Sequence, residues 1–353
     1  MPVAFHPARL LLATLVAGMF VLVGCTSPGL LVLEWSGYEK PDFWTDFQKA
    51  DPNTQVKFEF GISDADILGK MEGGSQADIF HFYTGYQQFY VDEGLVQVID
   101  TSKLTNWSKV PDSFKKLGQV NGKQYYLPWD WGFTSILYNT DHVKSVTSWD
   151  VLFDKTYAGH ISMWDDGPAA ATVSSYIHGW DETKLTPDQL VQIEQEWTAQ
   201  KPLNTHYWTG EYVDLCPDVK SGEIWVAYDW QGCYATALAG PGYPPVAYAT
   251  PVEGRNSWVG LYGISAKSSN VDLALKFLDD KLATLSCSNA VTLFYYGCAN
   301  QEVMSAITDA TLIKAFALDD PSILQHTNFT PPVTKAQRDA WTEMWGRVKA
   351  STP

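Results

Sequence analysis

The sequence predicts an α/β fold with a mainly parallel sheet, laid out in two successive blocks. Three observations predict it. Apolar runs of strand length alternate with stretches of helical period along most of the chain. Gly, Pro, Asn and Asp punctuate most changes of period. No repeat or low-complexity linker separates the blocks, so they read as lobes joined by crossing strands. With 353 residues, 45% hydrophobic and 18% charged, the chain has ample material for a packed core.

The first segment lies outside that fold. Arg9 precedes an apolar run from Leu10 to Val23, too short to span a bilayer comfortably, as in a signal peptide. It ends Leu22-Val23-Gly24-Cys25, which resembles the bacterial lipobox, where cleavage precedes Cys and the thiol is lipidated. Residues 1–24 are therefore expected to be a lipoprotein signal peptide, Cys25 to carry lipid, and residues 25–29 to form a tether.

The first block opens with Leu30–Trp35, an apolar run suited to a buried parallel strand. Pro41-Asp42 starts a helix over Phe43–Lys49, stopped by Asp51-Pro52-Asn53. Val56, Phe58 and Phe60 alternate on a strand, Gln55–Phe60. A helix over Asp64–Glu72 ends at Gly73-Gly74, and Asp78–Phe82 is a short strand. Gln87–Glu93 is helical, with Gly94 as its cap. Asn121-Gly122, between Val120 and Tyr125, signals a hairpin, and Thr134–Tyr138 is the next strand.

The second block has a short helix at Ser148–Phe153, a strand at His160–Met163 and a helix at Ala169–His178. Thr186-Pro187-Asp188 caps a long helix through Gln200. Ile224–Tyr228 is a strand, and Gln231–Ala239 a helix ended by Gly240-Pro241-Gly242. Leu261–Ile264 is a strand, followed by an amphipathic helix over Val271–Leu282. A helix over Thr334–Lys349 closes the chain.

Export places the remaining cysteines in an oxidising compartment. Cys216, Cys233, Cys287 and Cys298 allow three pairings, of which the local pairs Cys216–Cys233 and Cys287–Cys298 are favoured. No Cys-x-x-Cys or His-x-x-x-His occurs, so no metal and no cofactor is expected. The charge sum is 24 − 40 = −16, which repels phosphate backbones and argues against nucleic-acid binding. The chain holds 15 Trp, 18 Tyr and 16 Phe, enough for an aromatic-lined cleft as well as a core.

Enzyme motifs are absent: there is no Gly-x-Ser-x-Gly, P-loop or Gly-x-Gly-x-x-Gly. Asp165-Asp166 and Asp279-Asp280 are adjacent pairs, and neighbours on a strand point opposite ways, so neither reads as a glycosidase couple. Asp279-Asp280, late in a helix, is expected to be a solvated face.

Several strings carry a resemblance. They are Glu34-Trp35-Ser36-Gly37-Tyr38, the Leu95–Trp107 stretch, Leu127-Pro128-Trp129-Asp130-Trp131-Gly132, Ser148-Trp149-Asp150-Val151-Leu152 and Tyr157-Ala158-Gly159. Gly222-Glu223 through Trp230, and Glu253-Gly254 through Trp258, continue it. With the lipobox, these make the chain similar to the spermidine/putrescine-binding proteins of bacterial ABC importers, in the type II periplasmic binding protein group.

The resemblance implies a two-lobed periplasmic-binding-protein-like type II fold of the α/β class, with a ligand cleft between the lobes. Residues 30–136 and about 260–300 would form lobe 1, and about 137–259 and 301–353 lobe 2. It implies a monomeric, lipid-anchored receptor in the periplasm or on the outer face of the cytoplasmic membrane. Its partners would be an ABC permease with its ATPase, and its ligand a polyamine or related cationic amine. A monoamine, a quaternary amine or an amino-acid-like ligand is the alternative, and a carbohydrate-active exported enzyme a reading from another class.

Residue by residue, the resemblance implies an aromatic box of Trp35, Tyr38, Trp230, Trp258 and Tyr296, with Ser36, Tyr83 and Thr84 as polar contacts and Asp166 as a carboxylate. Rings hold a cation by its attraction to their faces, and a carboxylate fixes its position. Three positions that are acidic in polyamine binders are Gly37, Ala169 and Gly260 here. Asp130 or Asp229 is expected to replace a missing charge, or the ligand to carry fewer charges than spermidine.

Overall fold

Leu30, Val32 and Leu33 have almost no exposed surface, which places β1 (Gly29–Trp35) inside its sheet. It lies between β2 (Gln55–Gly61) and β3 (Ile79–Tyr83), both parallel to it. The structure, a computed structural model, describes residues 29–209, 215–320 and 322–351. The expected signal peptide and the lipidation site at Cys25 lie outside the described residues.

After the short β4 (Val96–Gln97), the Asn121-Gly122 turn joins β5 (Gln119–Val120) to β6 (Lys123–Gln124). Both turn residues have positive φ, 51° and 75°, as a two-residue hairpin turn requires. The chain then runs through β7 (Tyr126–Asn139), β8 (Ile161–Trp164), β9 (Asn204–Trp208), β10 (Val226–Asp229), β11 (Val246–Tyr248), β12 (Arg255–Ser265), β13 (Gly297–Cys298) and β14 (Thr327–Phe329). The main path is β2-β1-β3-β12-β7-β10-β8-β9. Steps at either end are parallel, but β3–β12, β12–β7 and β7–β10 are antiparallel. The expectation of a mainly parallel sheet is thus corrected: two parallel half-sheets flank two antiparallel crossing strands.

Those crossing strands are the longest, at 14 and 11 residues. The sequence showed only Thr134–Tyr138 and Leu261–Ile264 of them. Pro128 and the polar-aromatic string after it hide the first half of β7, because the period of two is broken there by a bulge.

Helices sit within a few residues of expectation. The first is split into a 3-10 turn at Pro41–Phe43 and a helix at Thr45–Ala50. The Ser148–Phe153 segment is a 3-10 helix over Trp149–Phe153, with Ser148 as its cap. The helices Pro187–Gln200 and Lys335–Ala350 both begin with a full capping box, from Thr186–Gln189 and Thr334–Gln337. A helix over Thr284–Phe294 was not read from the sequence.

The Asp279-Asp280 pair is not a solvated face. Asp280 is buried and accepts from the Phe47 N–H at 2.9 Å, tying the Val271–Lys281 helix to Thr45–Ala50. Asp279 accepts from the Asn106 N–H at 2.8 Å. Cys287 and Cys298 are disulfide-bonded, whereas Cys216 and Cys233 are free, buried thiols in contact with each other, so the second expected bond is not formed. No helix among the described residues is long and apolar enough to cross a membrane.

Candidate ligand-binding cleft

The bulge in β7 shapes the floor of the cleft. Val259 pairs with Trp131 and Leu261 with Pro128, so Gly260 alone opposes Trp129 and Asp130. A Cβ at Gly260 would overlap the Asp130 carboxylate and lie 2.5 Å from His81 Nε2. Position 260 therefore supplies no carboxylate, and one from β7 fills the space in front of it.

Asp130 belongs to a buried charge network. Its Oδ2 accepts from the Tyr38 hydroxyl at 2.9 Å, and its Oδ1 lies 3.4 Å from His81 Nε2. His81 Nδ1 is 2.6 Å from Glu34 Oε1, and the Tyr262 hydroxyl donates to Glu34 Oε2 at 2.6 Å. Behind them the Lys281 ammonium is fully buried, 4.4 Å from the centre of the Trp129 ring. Burial disfavours the charge on His81, but Glu34 and Asp130 outweigh it and hold the ring up to about 9. Burial brings Lys281 down to about 8 against the pull of the same carboxylates. It also pushes Glu34 up, yet His81 and Lys281 keep that carboxyl below its usual value. Two acids and two bases balance in a space without water contact, which is how buried charge is tolerated.

In front of this network stands an aromatic wall. The Tyr38 and Tyr83 hydroxyls are 2.9 Å apart. Trp35 lies 5.3 Å from Tyr83, Tyr83 5.1 Å from Trp258, and Trp258 4.8 Å from Tyr296, ring centre to ring centre. Tyr38 stacks on Phe294 at 4.6 Å. Trp258 has room because Gly132 faces it across the ladder. The Cys287–Cys298 bond straddles Phe294 and Tyr296 and so fixes the end of this wall.

The other lobe presents a second wall. Trp230 follows β10 just before Gln231, whose φ of 76° turns the chain into the Gly232–Ala239 helix. Its ring centre lies 4.5 Å from that of Trp164 and 4.8 Å from that of Trp208. Asp166 caps the Gly167–His178 helix, accepting from the Ala169 N–H at 2.9 Å. A second carboxylate faces the same space. Asp64, in the first turn of the Asp64–Glu72 helix, accepts from the Tyr83 N–H at 2.7 Å, and the charge of Asp166 is felt at it. Burial pushes both carboxyls up to about 6, and Arg338 partly opposes this in each case.

The predicted residues divide clearly. Trp35, Tyr38, Tyr83, Trp258 and Tyr296 share one wall, and Trp230 and Asp166 lie on the other lobe. Ser36 is exposed at the end of β1. Thr84 is buried, its hydroxyl accepting from the Val259 N–H at 3.3 Å. Asp130 is sealed behind Tyr38, and Asp229 is a helix cap, accepting from the Cys233 and Tyr234 N–H groups at 3.3 and 3.0 Å. Burial pushes Asp229 up to about 7 despite those bonds. Sequence reasoning missed Asp64, Trp164, Trp208 and the Glu34–His81–Lys281 network. The lone signal for the last was three ionisable residues inside runs of strand or helix core.

The chain resembles known proteins along most of its length. It is 25% identical to the putrescine-binding periplasmic protein of Escherichia coli, over 94% of this chain and 97% of that one. It is 28% identical to the spermidine/putrescine-binding periplasmic protein of the same organism, over 71% of each chain. The structure of a spermidine/putrescine ABC transporter substrate-binding protein from Streptococcus pneumoniae superposes with a TM-score of 0.75 at 19% identity, covering 92% of this chain and 99% of that one. The bacterial extracellular solute-binding protein family matches residues 43–291, from the first helical turn to the helix before the disulfide's second cysteine. With its two lobes and crossing strands, this chain belongs to the bacterial extracellular solute-binding proteins.

Proposed function

We propose that the protein captures a polyamine or a related small cationic amine outside the cytoplasm and hands it to the permease of an ABC importer. The observation that carries the reading is the pairing of aromatic walls with two partly buried carboxylates, Asp64 and Asp166, that no lysine or arginine among the described residues contacts within ion-pair distance. Ring faces attract an ammonium by about 0.5–2 kcal/mol each, and a charge-assisted bond to a carboxylate orients it. The names of the relatives in Escherichia coli support an amine over a sugar. The lipid anchor at Cys25, monomeric state and lobe boundaries near residues 137 and 260 are parts of the same proposal.

Calorimetry with putrescine, spermidine and monoamines tests it. An amine should bind the wild type, and Asp166→Asn and Trp230→Ala should each weaken binding by a few kcal/mol, through an unpaired ammonium and lost stacking area respectively. Bound cation favours the ionised carboxyls. Affinity should therefore fall as pH drops below about 6, where Asp64 and Asp166 take up protons. Heat of binding from sugars and none from any amine would overturn the reading.

A further inference from the structure

The cleft already contains a cation of its own. Arg338 projects from the Lys335–Ala350 helix of one lobe to Tyr86 of the other. Its guanidinium carbon lies 3.9 Å from the centre of the Tyr86 ring, and Nη1 donates to the Tyr86 hydroxyl at 2.9 Å. Its Nε is buried and has no hydrogen-bond partner among the described residues.

The backbone on both sides is cut to fit it. Gly85 adopts a φ of 109°, and a Cβ there would come within 2.8 Å of Arg338 Nη2. On the other side, a Cβ at Gly167 would sit 2.5 Å from the Trp341 carbonyl oxygen and 2.8 Å from Trp345 Cβ. Glycine at 167 thus lets the two helices touch, and Arg338 lies one turn before that contact. The residue preceding Gly167 is Asp166. The residues just before Tyr86 hold Asp64, through the Tyr83 N–H. Arg338 is therefore fixed between the two carboxylates, one from each lobe, without touching either within ion-pair distance. Its charge is felt at Asp64, Asp166 and the buried Glu182.

We infer that Arg338 is a specificity-determining residue: it stands in for one ammonium of the ligand, so the cleft selects an amine with a single positive charge over a diamine of the same length. Three carboxylates feel Arg338, but Glu182 is buried, accepts from the Thr172 hydroxyl at 2.5 Å and has its carboxyl pushed up by burial, so Asp64 and Asp166 with one guanidinium leave room for one further cation. A second ammonium would meet the guanidinium in a space shielded from water, where like charges repel strongly. This rests on the amine-receptor reading above and sharpens it to a ligand charge.

Putrescine and N-acetylputrescine share a carbon chain and differ by one charge, so their affinity ratio reads the effect directly. Calorimetry on the full-length wild type should show N-acetylputrescine bound at least as tightly as putrescine. In Arg338→Gln the ratio should move toward putrescine by about tenfold or more, the scale of a removed like-charge contact. Arg338→Lys, which keeps the charge and loses the flat stack on Tyr86, should keep the wild-type preference. A wild type that prefers putrescine tenfold overturns the inference without any variant. So does a ratio that Arg338→Gln leaves unchanged. If the wild type binds no amine of either charge, the amine-receptor reading falls and the inference with it.

Discussion

At the scale of single residues, His81 is the most consequential side chain that nothing in the sequence marked. It bridges two carboxylates, Glu34 and Asp130, with no exposed surface. Its ring is held up to about 9, above the ordinary value of 6.5, so the folded state binds a proton more tightly than the unfolded one. The stability this confers is complete below pH 6.5 and is lost as pH rises through about 9. Lys281 acts in the opposite sense, between about 8 and 10.5, and Asp229, raised to about 7, is still losing its proton just above neutrality. The difference between wild type and His81→Gln from pH 7 to 8 therefore reads His81, because Asp229 is common to both. Urea denaturation should show stability falling more steeply across that interval in the wild type than in His81→Gln. Equal slopes in the two would mean that the ring is neutral. The aromatic positions could be named because the strings around them resemble a known family, whereas Asp64 and Arg338 come together only in three dimensions, far apart in the chain.

At the scale of elements, strands with a clean period of two were readable and the two crossing strands were not. β1 and β3 read as apolar runs interrupted by one ionisable residue each, Glu34 and His81, but β7 carries Pro128, Asp130 and Gly132 within its buried span. Each of the three has a local reason: a bulge, a charge network and the seat of Trp258. Local rules fail where a strand serves the cleft as well as the sheet. The bulge also makes a quantitative prediction. Gly260→Ala places a methyl group against Asp130 and should cost about 1–3 kcal/mol or more, the usual range for an overfilled interior. Adding Asp130→Ala to Gly260→Ala removes the closer of the two overlaps and leaves the one with His81 Nε2. The double variant should then be less destabilised than the sum of the two single ones, as chemical denaturation would show. Strict additivity would place the Asp130 carboxylate elsewhere.

At the scale of the whole molecule, two lobes joined by crossing strands were read from the missing linker, and their interleaving came from the family resemblance and not from periodicity. Periodicity shows where strands are and leaves their partners open. The path β3-β12-β7 means that a half-sheet begun at Gly29 is finished by residues more than two hundred positions later. Ile79 pairs with Ile264, and Tyr83 with Gly260. This has a consequence in time. As the chain emerges, its earliest strands stay without their antiparallel neighbour until β12 arrives, and closing so long a loop is slow. The second half-sheet, β8 to β10, has its parallel partners within about seventy residues, and it gains its last antiparallel neighbour from β7, already made. A chain ending at Gly254 should accordingly lack a cooperative melting transition for its first half-sheet, read by the fluorescence of Trp35 and Trp129. A sharp transition from those two residues would show that β12 is dispensable. The half-sheet begun first is the half-sheet completed last, and during that interval the rings destined for the cleft are exposed to any chaperone or protease that waits outside the membrane.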